Sequence, residues 1–138
     1  AGLPWTYLCD SEATVAGLRI WGTPHTPTYG DWAFMEPDVR LGRYFDAIPD
    51  GIDVLLSHGP PLGICDLAVR GVQVGSEPLR RALLRTRPTV CVFGHIHEAH
   101  GEETVAGIRC INAALVDARY LPSHRPFAFE LEARDATV

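Results

Sequence analysis

Short apolar runs punctuated by turn residues set the pattern of this chain. Residues 52–57 (Ile-Asp-Val-Leu-Leu-Ser) and 90–93 (Val-Cys-Val-Phe) are four- to six-residue runs rich in β-branched and aliphatic side chains. That is the signature of strands buried on both faces. Between them Ser76-Glu77-Pro78 opens a helix, with serine as N-cap, glutamate in the first turn and proline near it. Leu79, Leu83 and Leu84 form its apolar stripe; Arg80, Arg81, Arg85 and Arg87 read as a solvated face whose later members suit the helix C-terminus. Strand, helix and strand in this order predict a parallel pair. A second helix is predicted over 38–48, with Val39, Leu41, Tyr44, Phe45 and Ile48 at helical spacing and Pro49-Asp50-Gly51 as its stop. Tyr7-Leu8-Cys9 and Leu18-Arg19-Ile20-Trp21 read as strands either side of a turn at Ala16-Gly17. Residues 104–112 read as a hairpin, and 127–132, alternating cleanly, as a final half-exposed strand. The fold class is α/β, in one domain over 1–138.

Both buried strands end in histidine. The first runs into His58-Gly59-Pro60-Pro61, the second into Gly94-His95-Ile96-His97-Glu98. With the strands parallel, both clusters emerge at one sheet edge, beyond the carboxyl ends of the strands, where α/β proteins bind ligands. Three imidazoles there make His58, His95 and His97 candidate ligands for manganese, iron or zinc. Gly94 allows a tight turn or a close approach. His97-Glu98-Ala99-His100 is one residue short of the helical H-E-x-x-H signature, which leaves His100 as a solvent-exposed loop residue. The chain after His97 is too short for the (β/α)₈ barrel in which an H-x-H strand can also start a metal site. Residues 22–34 form a loop by their prolines and glycines, and its aromatic side chains Trp32 and Phe34 are candidates for the substrate side of the site.

Composition removes several alternatives. The formal net charge of −5 argues against a nucleic-acid groove. All 12 basic residues are arginine, which excludes a Walker A phosphate loop and Schiff-base chemistry. The four cysteines show no C-x-x-C spacing, and Cys91 and Cys110 lie in apolar runs where a free thiol packs as a small hydrophobe. A reduced, cytoplasmic setting is expected. No run is long enough to span a membrane, and no signal peptide is read at the start.

Ser57-His58-Gly59-Pro60-Pro61 followed by Gly94-His95-Ile96-His97-Glu98 resembles the C-terminal half of the calcineurin-like metallophosphoesterases. Trp21-Gly22-Thr23-Pro24, Asp31-Trp32-Ala33-Phe34, the run from His58 to Gly63 and Asn112-Ala113-Ala114-Leu115 are similar to the branch of metallophosphoesterase-domain-containing proteins, and the similarity covers essentially the whole chain. The resemblance implies a β-sandwich of two mixed sheets flanked by helices, and two divalent metals sharing a bridging water or hydroxide. It implies that His58 and His95 bind one metal and His97 the other. It suggests a small phosphoester as substrate, a cyclic nucleotide or other phosphodiester.

The chain departs from that pattern upstream. The family's D-x-H, G-D and G-N-H-[DE] motifs precede the lone histidine; here D-x-H is absent and Asn112 is the only asparagine. Gly30-Asp31 spells G-D but sits in the proline- and aromatic-rich loop, not after a buried strand. The expectation is therefore a fragment or truncated product of a phosphoesterase, a partial sandwich with its N-terminal strands missing and its general acid upstream of Ala1. Two dications held without carboxylates would repel each other largely uncompensated, so the competing expectation is a non-catalytic metal-binding or regulatory remnant. With central strands missing, the edges of 52–57 and 90–93 are expected to be unpaired, favouring self-association.

Overall fold

The structure, a computed structural model, describes residues 4–133. In chain order its elements are β1 (Ser11–Val15), β2 (Leu18–Thr23), β3 (Thr26–Pro27), β4 (Met35–Glu36), α1 (Asp38–Asp46), β5 (Val54–Ser57), α2 (Glu77–Thr86), β6 (Val90–Phe93), β7 (Gly101–Val105) and β8 (Ile108–Asn112). Six strands form one mixed sheet in the order β1-β2-β5-β6-β8-β7. The four central strands run parallel, and antiparallel hairpins close both flanks. β3 and β4 make a separate parallel pair that ties the two ends of the aromatic loop together.

Alternation along the strands divides the core between two faces. On one, Trp21, Leu55, Cys91, Phe93, Ile108 and Cys110 meet Leu41 and Phe45 of α1 and Leu79, Ala82 and Leu83 of α2. Each fully buried leucine or phenylalanine there stabilises the fold by roughly 1.5–3 kcal/mol. On the other, Val54, Val90 and Ile111 pack with Ile20, Val92, Phe127 and Leu131. Ser76 caps α2, its hydroxyl accepting the Leu79 N–H at 3.2 Å. Leu84, one of the three leucines placed on the stripe, is 38% exposed, and Ala82 takes the buried position instead. Arg85 is not merely solvated: it donates to the carbonyls of Phe45 (3.3 Å) and Ile48 (2.9 Å), filling acceptors at the end of α1, and bonds the Asp50 carboxylate.

Three expected features differ. The first strand is Ser11–Val15, not 7–9. Ser11 pairs with Gly22, so β2 has run out of partners before Tyr7–Cys9 is reached, and the backbone turns at Asp10 with φ of 46°. Residues 127–132 form no strand: Phe127 and Leu131 lie over the second sheet face rather than beside an edge, so the segment has no ladder to join. The strands at 52–57 and 90–93 are not unpaired edges. Each is flanked on both sides, because the β1–β2 and β7–β8 hairpins supply the neighbours. The described residues thus form one six-stranded sheet with helices on one face.

Candidate metal centre

The parallel pairing of β5 and β6 aligns Leu56 with Val92 and delivers the two histidine turns side by side. The backbone stitches them together: Gly94 donates its N–H to the His58 carbonyl at 3.1 Å, and His58 donates to Thr23 at 3.2 Å. The left-handed residue of the second turn is His95 itself, with φ of 68°, and not Gly94. A non-glycine residue there costs of order 1–3 kcal/mol and persists where its surroundings over-determine it. Gly59 is the glycine that close approach requires, since a Cβ would collide with the Thr26 hydroxyl and face the His95 ring. Asn112, fully buried at the end of β8, holds the loops in place: its amide donates to the carbonyls of Ile96 (2.8 Å) and Cys65 (3.1 Å) and its oxygen accepts the Ala114 N–H (3.1 Å).

His58 Nε2 and His95 Nδ1 come within 3.1 Å. Two imidazole nitrogens, each roughly 2.0–2.1 Å from one zinc-sized ion, stand about 3 Å apart, so this spacing suits neighbouring positions on a single metal. Partial burial lowers the pKa of both rings, and for His95 the nearby charges of His58 and His97 lower it further. A neutral imidazole is the ligating form. His97 lines the same cavity and bonds through Nδ1 to the Asp117 carbonyl at 3.2 Å. Among the described residues no three His, Cys, Asp or Glu side chains form a metal-ligating group. The structure thus brings His58 and His95 together, while His97 lines the same cavity without completing a three-ligand group with them, and Glu98 is the carboxylate residue lining that cavity among the described residues.

These histidines open onto a cavity of about 930 Å³. Tyr29 and Trp32 form one wall, edge to face at 6.1 Å between centroids. Ala68, Val69, Arg70 and Val72 also line the cavity, in a segment held by Glu98, whose carboxylate accepts the Val69 N–H at 2.6 Å. Trp32 thus stands at the cavity, whereas Phe34 turns away and packs edge-on against His25 at 5.8 Å. His25 is buried, bonded to Asp10 at 2.8 Å and stacked on Tyr44 at 3.6 Å. His100 is not the exposed loop residue expected: half-buried, it stacks on His124 (4.3 Å) and lies tilted against Phe127 (5.0 Å). Sequence reasoning passed over Arg70, Asp117 and Tyr120; only Asp117 left a signal, as a short acidic side chain opening a turn.

No family model matches the chain. Human metallophosphoesterase domain-containing protein 1 is 39% identical over 128 residues, 91% of this chain. The chain is a relative of the metallophosphoesterase domain-containing proteins. A UPF0046 protein of Caenorhabditis elegans is 35% identical over 133 residues, 95% of this chain. The chain spans about two fifths of the human relative's length (39%) and a third of the nematode one's (34%). One solved structure superposes with a TM-score of 0.60 at 19% identity, over 78% of this chain and 45% of that chain, which supports the mixed α/β fold alone.

Proposed function

We propose that this chain carries the histidine side of a metal-dependent phosphoesterase site, with His58 and His95 on one ion and His97 on a second. The observation that carries the reading is the 3.1 Å approach of His58 and His95 at the ends of adjacent parallel strands. A bound manganese, iron or zinc ion would polarise the phosphoryl oxygen and lower the pKa of a bound water. The chain's own residues do the rest: the His95 turn fixes the imidazole pair, Arg70 offers a guanidinium to phosphate oxygens, and Tyr29 and Trp32 give the ester group an apolar wall. The substrate is a small phosphoester, a cyclic nucleotide or other phosphodiester, and the protein works in the cytoplasm without nucleic acid or membrane. In this reading the carboxylate ligands and the general acid lie in the part of the relatives' length that this chain does not span.

The test compares the 138-residue chain with a version extended upstream, assayed with manganese and a generic phosphodiester. The extended protein is active and the short chain weak or dead. His58→Ala and His95→Ala in the extended protein each cost more than the roughly 10–100-fold typical of outer-shell partners. Equal activity of the two lengths, abolished by His95→Ala, would show that the carboxylates are dispensable. Metal binding without hydrolysis in the extended protein favours the non-catalytic, regulatory reading.

A further inference from the structure

We propose that the turn formed by Asp117 to Leu121 is a positioning device that fixes His97 as its Nδ1–H tautomer and aims Nε2 into the cavity. Its purpose rests on the metal-site reading above; its geometry does not. His97 Nδ1 lies 3.2 Å from the Asp117 carbonyl oxygen. A carbonyl oxygen only accepts, so Nδ1 must carry the proton, and in the neutral ring Nε2 is left with its lone pair. The opposite tautomer would set two acceptors against each other at that distance. Fixing a ligand histidine through its other nitrogen is how outer-shell partners hold ring orientation.

The turn is built to keep that carbonyl still. Asp117 Oδ1 accepts the backbone N–H groups of Arg119 (2.8 Å) and Leu121 (3.1 Å). The Asp117 N–H donates to the Leu121 carbonyl at 2.9 Å, and the Asp117 carbonyl also accepts the Tyr120 N–H at 2.9 Å. Those donors hold the exposed Asp117 carboxyl below the ordinary carboxylate pKa, the Leu121 N–H most of all, so the clamp is ionised at neutral pH. Tyr120 occupies the left-handed region at φ of 62°, unusual for an aromatic residue, and its ring stands at 86° to His97 with centroids 5.0 Å apart. Tyr120 and His97 both line the cavity, so the ring packs against the imidazole at the cavity wall.

Nitrogen-15 correlation spectra of the chain's imidazoles at about pH 8, above the ordinary pKa of about 6.5, read the tautomer without any metal. The expected result is His97 as Nδ1–H. Asp117→Ala opens the turn and mixes the tautomers, while Asp117→Asn, which keeps an acceptor oxygen, restores the wild-type spectrum. Tyr120→Gly leaves the melting temperature unchanged or raised, since glycine suits that φ, yet speeds exchange of the His97 Nδ1 proton with water. An Nε2–H tautomer in the wild type, or a wild-type spectrum in folded Asp117→Ala, overturns the proposal. So does an unchanged exchange rate in Tyr120→Gly. Zinc added to the upstream-extended protein separates the two ideas: if no histidine signal moves while His97 remains Nδ1–H, the metal reading fails and the assignment stands.

Discussion

At the scale of single residues, the environment sets what each titratable group does. His58 and His95 have folded-state pKa values below the ordinary imidazole range, so the folded chain binds fewer protons there than the unfolded one. Stability is then indifferent to these groups above about pH 6.5 and falls as pH drops below it towards the folded values. Urea unfolding of the metal-free chain at stepped pH should show this loss, and His58→Gln with His95→Gln should flatten it; an unchanged slope in the double variant contradicts the assignment. The thiols make a second case. Burial pushes Cys65 to about 11 and Cys110 to about 12, Glu103 adding to both, and fully buried Cys91 goes well above its ordinary value. Cys9 is exposed. A thiol reagent at neutral pH should therefore modify Cys9 rapidly and the others only on unfolding, since the thiolate is the reacting form.

At the scale of elements, caps and loops carry separable roles. Ser76→Ala removes the side chain that accepts the Leu79 N–H and should cost about 1 kcal/mol. Leu83→Ala, which empties a fully buried position facing the sheet, should cost roughly 2–5 kcal/mol. Denaturant midpoints check both. The aromatic loop should split. Trp32 faces the cavity, so Trp32→Ala should lower kcat/KM of the upstream-extended protein with little change in stability. Phe34 packs on buried His25, so Phe34→Ala should do the reverse. Equal effects of the two substitutions would show that the loop acts as one packing unit.

At the scale of the whole molecule, the sheet protects its edges and leaves a face. The outer strands carry Glu12 on β1 and Glu102 and Glu103 on β7, charges that discourage edge-to-edge pairing. Among the described residues the second face is covered only in part by Phe127 and Leu131, and Leu56 is 37% exposed there beside Tyr7 and Leu8. Contiguous apolar surface of that kind promotes association. The 138-residue chain should self-associate with concentration in sedimentation runs, through this face and not an edge, and Leu56→Gln should weaken the association without lowering the melting temperature. A variant that associates as strongly as the parent would move the contact elsewhere.

The local pattern was enough for what local physics decides. Apolar β-branched runs gave a strand within 52–57, observed as Val54–Ser57, and the strand at 90–93, a serine cap and a leucine stripe gave α2, and two strand ends in histidine located the candidate ligands at one sheet edge. Period and capping act over a few residues, so one chain segment contains the whole signal. What needed the tertiary structure was every relation between distant segments. Alternation in 127–132 implied a strand, but a ladder needs a vacant neighbour, and the segment fell on a face instead. The 7–9 run was apolar but overran the end of β2. The left-handed backbone landed on His95 rather than on its glycine, because the stitching to β5 fixes that turn. Asp117 and Tyr120 entered the site from 20 and 23 positions beyond His97, since only folding decides which carbonyl an imidazole nitrogen meets.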